Sequence, residues 1–260
     1  MDEMNIVVST DGTKIAFDRL GEGPPLALVG GASVDRSSAA PLAELLAADL
    51  TVFNVDRRGR GDSGDTPPYA VEREIEDIRA VLEEAGGSAN LYGSSGGAAL
   101  ALEATAAGLP VRKLALWEPP YILDETKRPP SDHVERLEKM IAEDRRGDAA
   151  AYFMREVVRA PAEFVAEART QPWWAAQEAL AHTLVYDARV LGDYSLPTDR
   201  AESIDAPTLV LAGGIDFPWM RDTAHALANA LPQGQTQMLE GQGHAVDAAA
   251  IAPALKQFFA

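Results

Sequence analysis

Short apolar runs alternate with segments that have a helical hydrophobic period, and this alternation predicts the architecture. Leu26-Ala27-Leu28-Val29, Thr51-Val52-Phe53-Asn54-Val55, the lead-in Asn90-Leu91-Tyr92 and Lys113-Leu114-Ala115-Leu116-Trp117 carry few polar breaks, as strands covered on both faces do. Two shorter strands, Ile6-Val7-Val8-Ser9 and Lys14-Ile15-Ala16-Phe17-Asp18, flank the turn Thr10-Asp11-Gly12-Thr13 and read as a hairpin. Between the buried strands, a helix is predicted over about 39–48 and another over 71–82, where apolar residues at 71, 75, 78, 81 and 82 form one stripe. A third runs from the glycine cluster at 93–97 to about 107.

The rhythm changes after Glu118-Pro119-Pro120. From about 124 to 202 no strand is evident, only helix-like pieces broken at Pro129-Pro130, Gly147, Pro161, Pro172 and Pro197. It returns at Pro207-Thr208-Leu209-Val210-Leu211-Ala212, followed by a helix over 219–230, a last strand Thr236-Gln237-Met238-Leu239 and a terminal helix expected to begin near Pro253. The expected class is therefore α/β: a mostly parallel central sheet flanked by helices, with a helical cap inserted after the sixth strand. The body would comprise 1–120 and 204–260, and the cap 121–203.

Composition narrows the function classes. Twenty-three basic residues face 40 acidic ones, a net charge of −17, which argues against nucleic acid and anionic membranes as partners. There is no cysteine among the 260 residues, so no disulfide, thiolate nucleophile or cysteine metal site. The acidic start Met1-Asp2-Glu3-Met4-Asn5 leads into no signal-type run, and no apolar stretch approaches membrane length. A cytoplasmic protein is expected, acting on a small molecule. No histidine pair has metal-ligand spacing and no cofactor fingerprint is present, so neither metal nor cofactor is expected.

The candidate chemistry begins at Gly93-Ser94-Ser95-Gly96-Gly97, a G-x-S-x-G sequence between a strand and a helix. Such a turn lifts the central hydroxyl clear of the sheet, and the following helix offers free N–H groups to an oxyanion. Asp216 and His244 also follow predicted strands, so all three lie on the edge of the sheet where α/β proteins bind ligands. A serine hydroxyl needs an adjacent base, for which histidine is suited, and an acid to orient that base. Asp216 could instead cap the helix at 219–230. Glu118, leaving the strand that ends at Trp117, is the rival acid. The other three histidines, His133, His182 and His225, fall within helix-like segments and read as surface or cap residues.

With these motifs the chain resembles the α/β-hydrolase superfamily over nearly its whole length. The resemblance rests on Gly93-Ser94-Ser95-Gly96-Gly97, Gly213-Gly214-Ile215-Asp216, Gly241-Gln242-Gly243-His244 and the loop Asp56-Arg57-Arg58-Gly59-Arg60-Gly61-Asp62-Ser63, which is similar to the D-x-R-G-x-G-x-S loop of that family. It implies a Ser95–His244–Asp216 triad, with an oxyanion hole made by the N–H groups of Gly96 and Ala32. Relatives often carry His-Gly where this chain has Gly30-Gly31, so one loop hydrogen bond is expected to be lost. The charged loop at 56–63 is expected to be structural, with surface ion pairs.

The implied reaction is hydrolysis of an ester, lactone or amide of a small apolar molecule. Carbon–carbon bond hydrolysis, cofactor-free perhydrolase chemistry and a non-catalytic ligand-binding role are the alternatives. In the cap, which shows no basic cluster, Trp173 and Trp174 either line the substrate pocket or pack the cap.

Overall fold

The computed structural model describes residues 4–260; the acidic start at 1–3 lies outside them. Eight strands form one sheet in the order β1-β2-β4-β3-β5-β6-β7-β8. They are β1 (Asn5–Val8), β2 (Lys14–Leu20), β3 (Pro25–Val29), β4 (Thr51–Val55), β5 (Ala89–Ser94), β6 (Val111–Trp117), β7 (Thr208–Ala212) and β8 (Gly234–Met238). The β1–β2 and β2–β4 pairs are antiparallel, and every pairing from β4 to β8 is parallel.

The uninterrupted apolar strands are split residue by residue between two cores. Ala27 and Val29 of β3, with Val210 and Ala212 of β7, face one side; Leu26, Leu28, Leu209 and Leu211 face the other. On the first side lie α2 (Val71–Glu84), α3 (Gly96–Ala106) and α10 (Trp219–Ala230); on the second, α1 (Ala40–Leu46) and α11 (Ala248–Phe259). Strands with two buried faces need no polar alternation, which is why the period-2 signal is missing from the sequence.

Between β6 and β7 the described residues contain only helices: α4 (His133–Ala142), α5 (Arg146–Tyr152), α6 (Ala162–Ala168), α7 (Trp174–Leu180), α8 (Leu184–Leu191) and α9 (Thr198–Glu202). A π-helical turn at Phe153–Val157 continues α5. This segment has its own apolar cluster, from Leu137 to Ala188. Its two ends do not belong to that cluster: Tyr121, Ile122, Val190, Leu191, Tyr194, Ala201 and Ile204 pack into the sheet's core.

One local expectation differs from the structure. The terminal helix begins at Ala248, with the Asp247 side chain accepting from the N–H of Ala249, so Pro253 lies inside it rather than at its first position. The Asx cap is a stronger start signal than the proline. His133, expected as a surface or cap residue, lies in the cap helix α4 and is buried there, with its ring edge against Tyr194 at 5.5 Å.

Candidate active site

The turn at Ser95 is tight because its neighbours lack side chains. A Cβ at Gly93 would overlap the backbone of Gly97 and Ala98, and one at Gly97 would overlap the carbonyls of Val29 and Gly30. The helix α3 can therefore start directly against β3 and β5. Ser95 itself adopts φ 55°, a left-handed conformation costly for a residue with a side chain. Its N–H is held by the carbonyl of Trp117 on β6 at 2.8 Å.

The Oγ of Ser95 lies 3.0 Å from Nε2 of His244, and Nδ1 of the same ring lies 2.7 Å from Oε2 of Glu118. The proton on Nδ1 then points to a carboxylate, leaving Nε2 to accept from the serine hydroxyl. The ring is braced edge-on by Phe217 at 5.6 Å, and the backbone carbonyl of His244 accepts from Nε1 of Trp117 at 2.9 Å.

The carboxylate on the imidazole is thus Glu118 and not Asp216, which corrects the acid expected at the end of β7. Glu118 follows β6 directly and is buried at 1 % exposure. Its Oε1 accepts from the N–H groups of Gly213 and Gly214 at 2.9 and 3.1 Å. The glycine pair expected to present Asp216 instead supplies the two N–H donors that fix the Glu118 side chain. Asp216 stands beyond that turn, is exposed, and accepts only the backbone N–H of His244 through Oδ2 at 2.8 Å. It fixes the histidine loop, not the ring.

Gly96, as the first residue of α3, presents an N–H with no partner within its own helix. A Cβ on Gly96 would lie 3.7 Å from the backbone nitrogen of Ala32, so the two expected oxyanion donors stand side by side. Ala32 belongs to the loop after β3, in which Ser33 takes φ 56°.

Above this site is a cavity of about 680 Å³ between body and cap. Ser95 and His244 are in its floor, and Phe153, Met154, Leu184, Leu191 and Trp219 contribute to apolar walls. Neither tryptophan expected to bind substrate lines it. Trp173 is exposed at 44 % on the cap surface; Trp174 is buried in the cap's own core, its Nε1 donating to Glu178 at 2.7 Å. The indole in the wall is Trp219, at the start of α10. The π-helical turn, which no sequence signal marked, supplies Phe153, Met154 and Val157.

The charged loop at 56–63, expected to carry surface ion pairs, instead buries its arginine pairs, while Asp62 meets Arg36 at the surface. Arg58 meets Asp77 at 2.7 Å and Asp11 at 2.9 Å, and Asp56 is bonded by Arg36. Arg57 forms a fork with Glu74 (2.8 and 2.9 Å) and reaches Asp187 of α8 at 2.6 Å, while Arg60 meets the other oxygen of Asp187 at 2.7 Å. Burial opposes the charge of Arg57, yet Asp187 and Glu74 raise its pKa above the ordinary arginine value. Burial and the charge of Arg57 lower that of Arg60. The cap also carries a charged groove that the sequence did not reveal, with Arg136, Arg145, Arg155 and Arg169 beside Asp148 and Glu156 around one depression. These arginines pair with Asp132, Glu143, Asp148 and Glu156, so the groove carries little net charge.

Among the described residues, no helix is long and apolar enough to cross a membrane. The model of the alpha/beta hydrolase family matches residues 26–254. An alpha/beta hydrolase from Sphaerobacter thermophilus DSM 20745 is 53% identical, with a TM-score of 0.92, over 98% of this chain and 100% of that one. A thermophilic esterase from Thermogutta terrifontis shares the fold at 24% identity and a TM-score of 0.73, over 98% and 97% of the two chains. A meta-cleavage product hydrolase from Pseudomonas fluorescens IP01 shares it at 16% and 0.66, over 98% and 97%.

Proposed function

Because the chain belongs to the alpha/beta hydrolase family and is a hydrolase, we propose that it cleaves an ester of a small apolar molecule through an acyl-enzyme on Ser95. The observation that carries this reading is the continuous chain of contacts from the Ser95 hydroxyl through His244 to Glu118. His244 Nε2 takes the hydroxyl proton as Oγ bonds to the ester carbonyl carbon. The negative oxygen that forms is met by the N–H groups of Gly96 and Ala32, donors already fixed before the substrate arrives. Collapse of this intermediate breaks the carbon–oxygen bond, and His244 returns the proton to the departing alkoxide. Water then attacks the acyl-enzyme by the same steps and frees Ser95. Glu118 holds the ring through Nδ1 and stabilises the imidazolium.

The direct test is intact mass after treatment with a fluorophosphonate. One adduct is expected on the parent protein, mapping to Ser95, and none on Ser95→Ala. An adduct at full stoichiometry on Ser95→Ala would remove the nucleophile from this position.

The apolar walls support the substrate class. Met154→Trp, which narrows the cavity at the π-helical turn, should raise KM for 4-nitrophenyl octanoate over that for the acetate by about 10-fold, the worth of roughly two unburied methylenes. Trp173→Ala should change neither ester, since that ring is exposed and does not line the cavity. Equal responses of the two esters to Met154→Trp would detach chain-length selection from the turn.

A further inference from the structure

We propose that Arg57, oriented by Asp187 of the cap, is a positioning residue for the oxyanion loop, so that cap helix α8 takes part in turnover of every substrate and not only of large ones. The proposal rests on the hydrolase reading given above. Its basis is one guanidinium touching three separate elements. Arg57 is forked onto Glu74 of α2, bonded to Asp187 of α8, and its Nη1 donates to the carbonyl of Gly30 at 3.4 Å. Gly30 opens the loop that ends its turn at Ala32 and the left-handed Ser33.

That loop has further ties to the cap. Ala32 packs on the cap's apolar cluster, and Gln177 of α7 donates to the carbonyl of Ser33 at 3.4 Å. A left-handed serine persists only where its surroundings hold it. Asp187 itself comes close to the second donor: a Cβ on Gly96 would sit 3.0 Å from its Oδ1. A carboxylate beside Gly96 would oppose an oxyanion developing at its N–H unless neutralised, and Arg57 and Arg60 each bind one of its oxygens.

Arg57 and Arg60 fill positions that the D-x-R-G-x-G-x-S pattern leaves open, so the pattern itself does not call for them. Where a loop histidine is missing at Gly30, the arginine supplies a donor from the neighbouring strand end. Helix α8 is correspondingly fixed to the body. Tyr186 stacks on Tyr69 at 3.9 Å and donates to Asp65 at 2.6 Å, and Arg189 donates to the carbonyl of Tyr69 at 3.0 Å.

The test uses Arg57→Lys and Asp187→Asn, with active sites counted by fluorophosphonate labelling. Lysine keeps the charge but cannot make the fork; asparagine keeps the shape. With 4-nitrophenyl acetate, kcat per labelled site should fall about 10–100-fold in each, less than or equal to the loss of one oxyanion donor, while KM holds. Affinity for a trifluoromethyl ketone, whose adduct places an oxyanion between Ala32 and Gly96, should fall in proportion to kcat/KM. Variants that label fully and turn over normally, even with a lower Tm, would overturn the proposal, as would a loss confined to KM. Should neither variant fold, hydrogen exchange on the parent decides. Binding of the trifluoromethyl ketone should slow exchange in the oxyanion loop and in α8 together; slowing in the loop alone overturns the coupling. A parent that is not labelled at Ser95 overturns the hydrolase reading and this one with it, whereas a labelled parent with unaffected variants overturns this one alone.

Discussion

Ser95→Ala and His244→Ala should each lower kcat for 4-nitrophenyl acetate by about 10⁶-fold, and the double variant should be little worse than either. A nucleophile and its base act as one unit: the hydroxyl without the imidazole keeps its proton, and the imidazole without the hydroxyl has none to take. The 3.0 Å contact between Oγ and Nε2 makes the unit direct, with no residue between them. Neither change should disturb the fold. Ser95 has the strained φ because of where the turn stands, and alanine meets the same backbone cost as serine. What activity remains should come from the N–H donors of Gly96 and Ala32 and from the cavity, which both variants keep. Losses that multiplied in the double variant would mean that the two side chains act separately, and would break the chain of contacts on which the mechanism depends.

The parts of this site that were legible in the sequence are those fixed by local chemistry. Ser95 could be found because a strand, a glycine-flanked serine and a helix must follow one another within a few residues. His244 could be found because it alone among four histidines follows a strand in a glycine-rich loop. The sheet was legible because strands buried on both faces leave long apolar runs. What sequence could not give depends on distances between elements far apart along the chain. Trp173 and Trp174 are adjacent in sequence, yet one faces outward and the other into the cap core, while the cavity wall takes Trp219 from α10. The arginines at 57 and 60 read as a charged surface loop, because their partner Asp187 arrives from 130 and 127 residues away. Helix α3 shows no apolar stripe because the sheet covers one side of it and α8 the other.

The acid is the instructive case, and it sets the second large effect. Glu118→Gln should lower kcat by about 10⁴-fold, whereas Asp216→Asn should cost less than about 10-fold. Glutamine can still accept from Gly213 and Gly214 through its carbonyl oxygen, so the strand ends stay in place. Its amide nitrogen then faces Nδ1 of His244 as a donor. The imidazole answers by moving its proton to Nε2, where it points at Ser95 and can take nothing from it. The variant would be folded, correctly shaped and in the wrong tautomer. Asparagine at 216 keeps an oxygen for the backbone N–H of His244, so the loop and the ring keep their positions; Asp216→Ala, which removes that bond, should cost roughly the worth of one exposed hydrogen bond, about 5-fold. Measured kcat for the three variants, each corrected for fluorophosphonate-reactive sites, gives the order directly. A larger loss for Asp216→Asn than for Glu118→Gln would return the acid to the end of β7 and show that the carboxylate behind the imidazole changes when substrate binds.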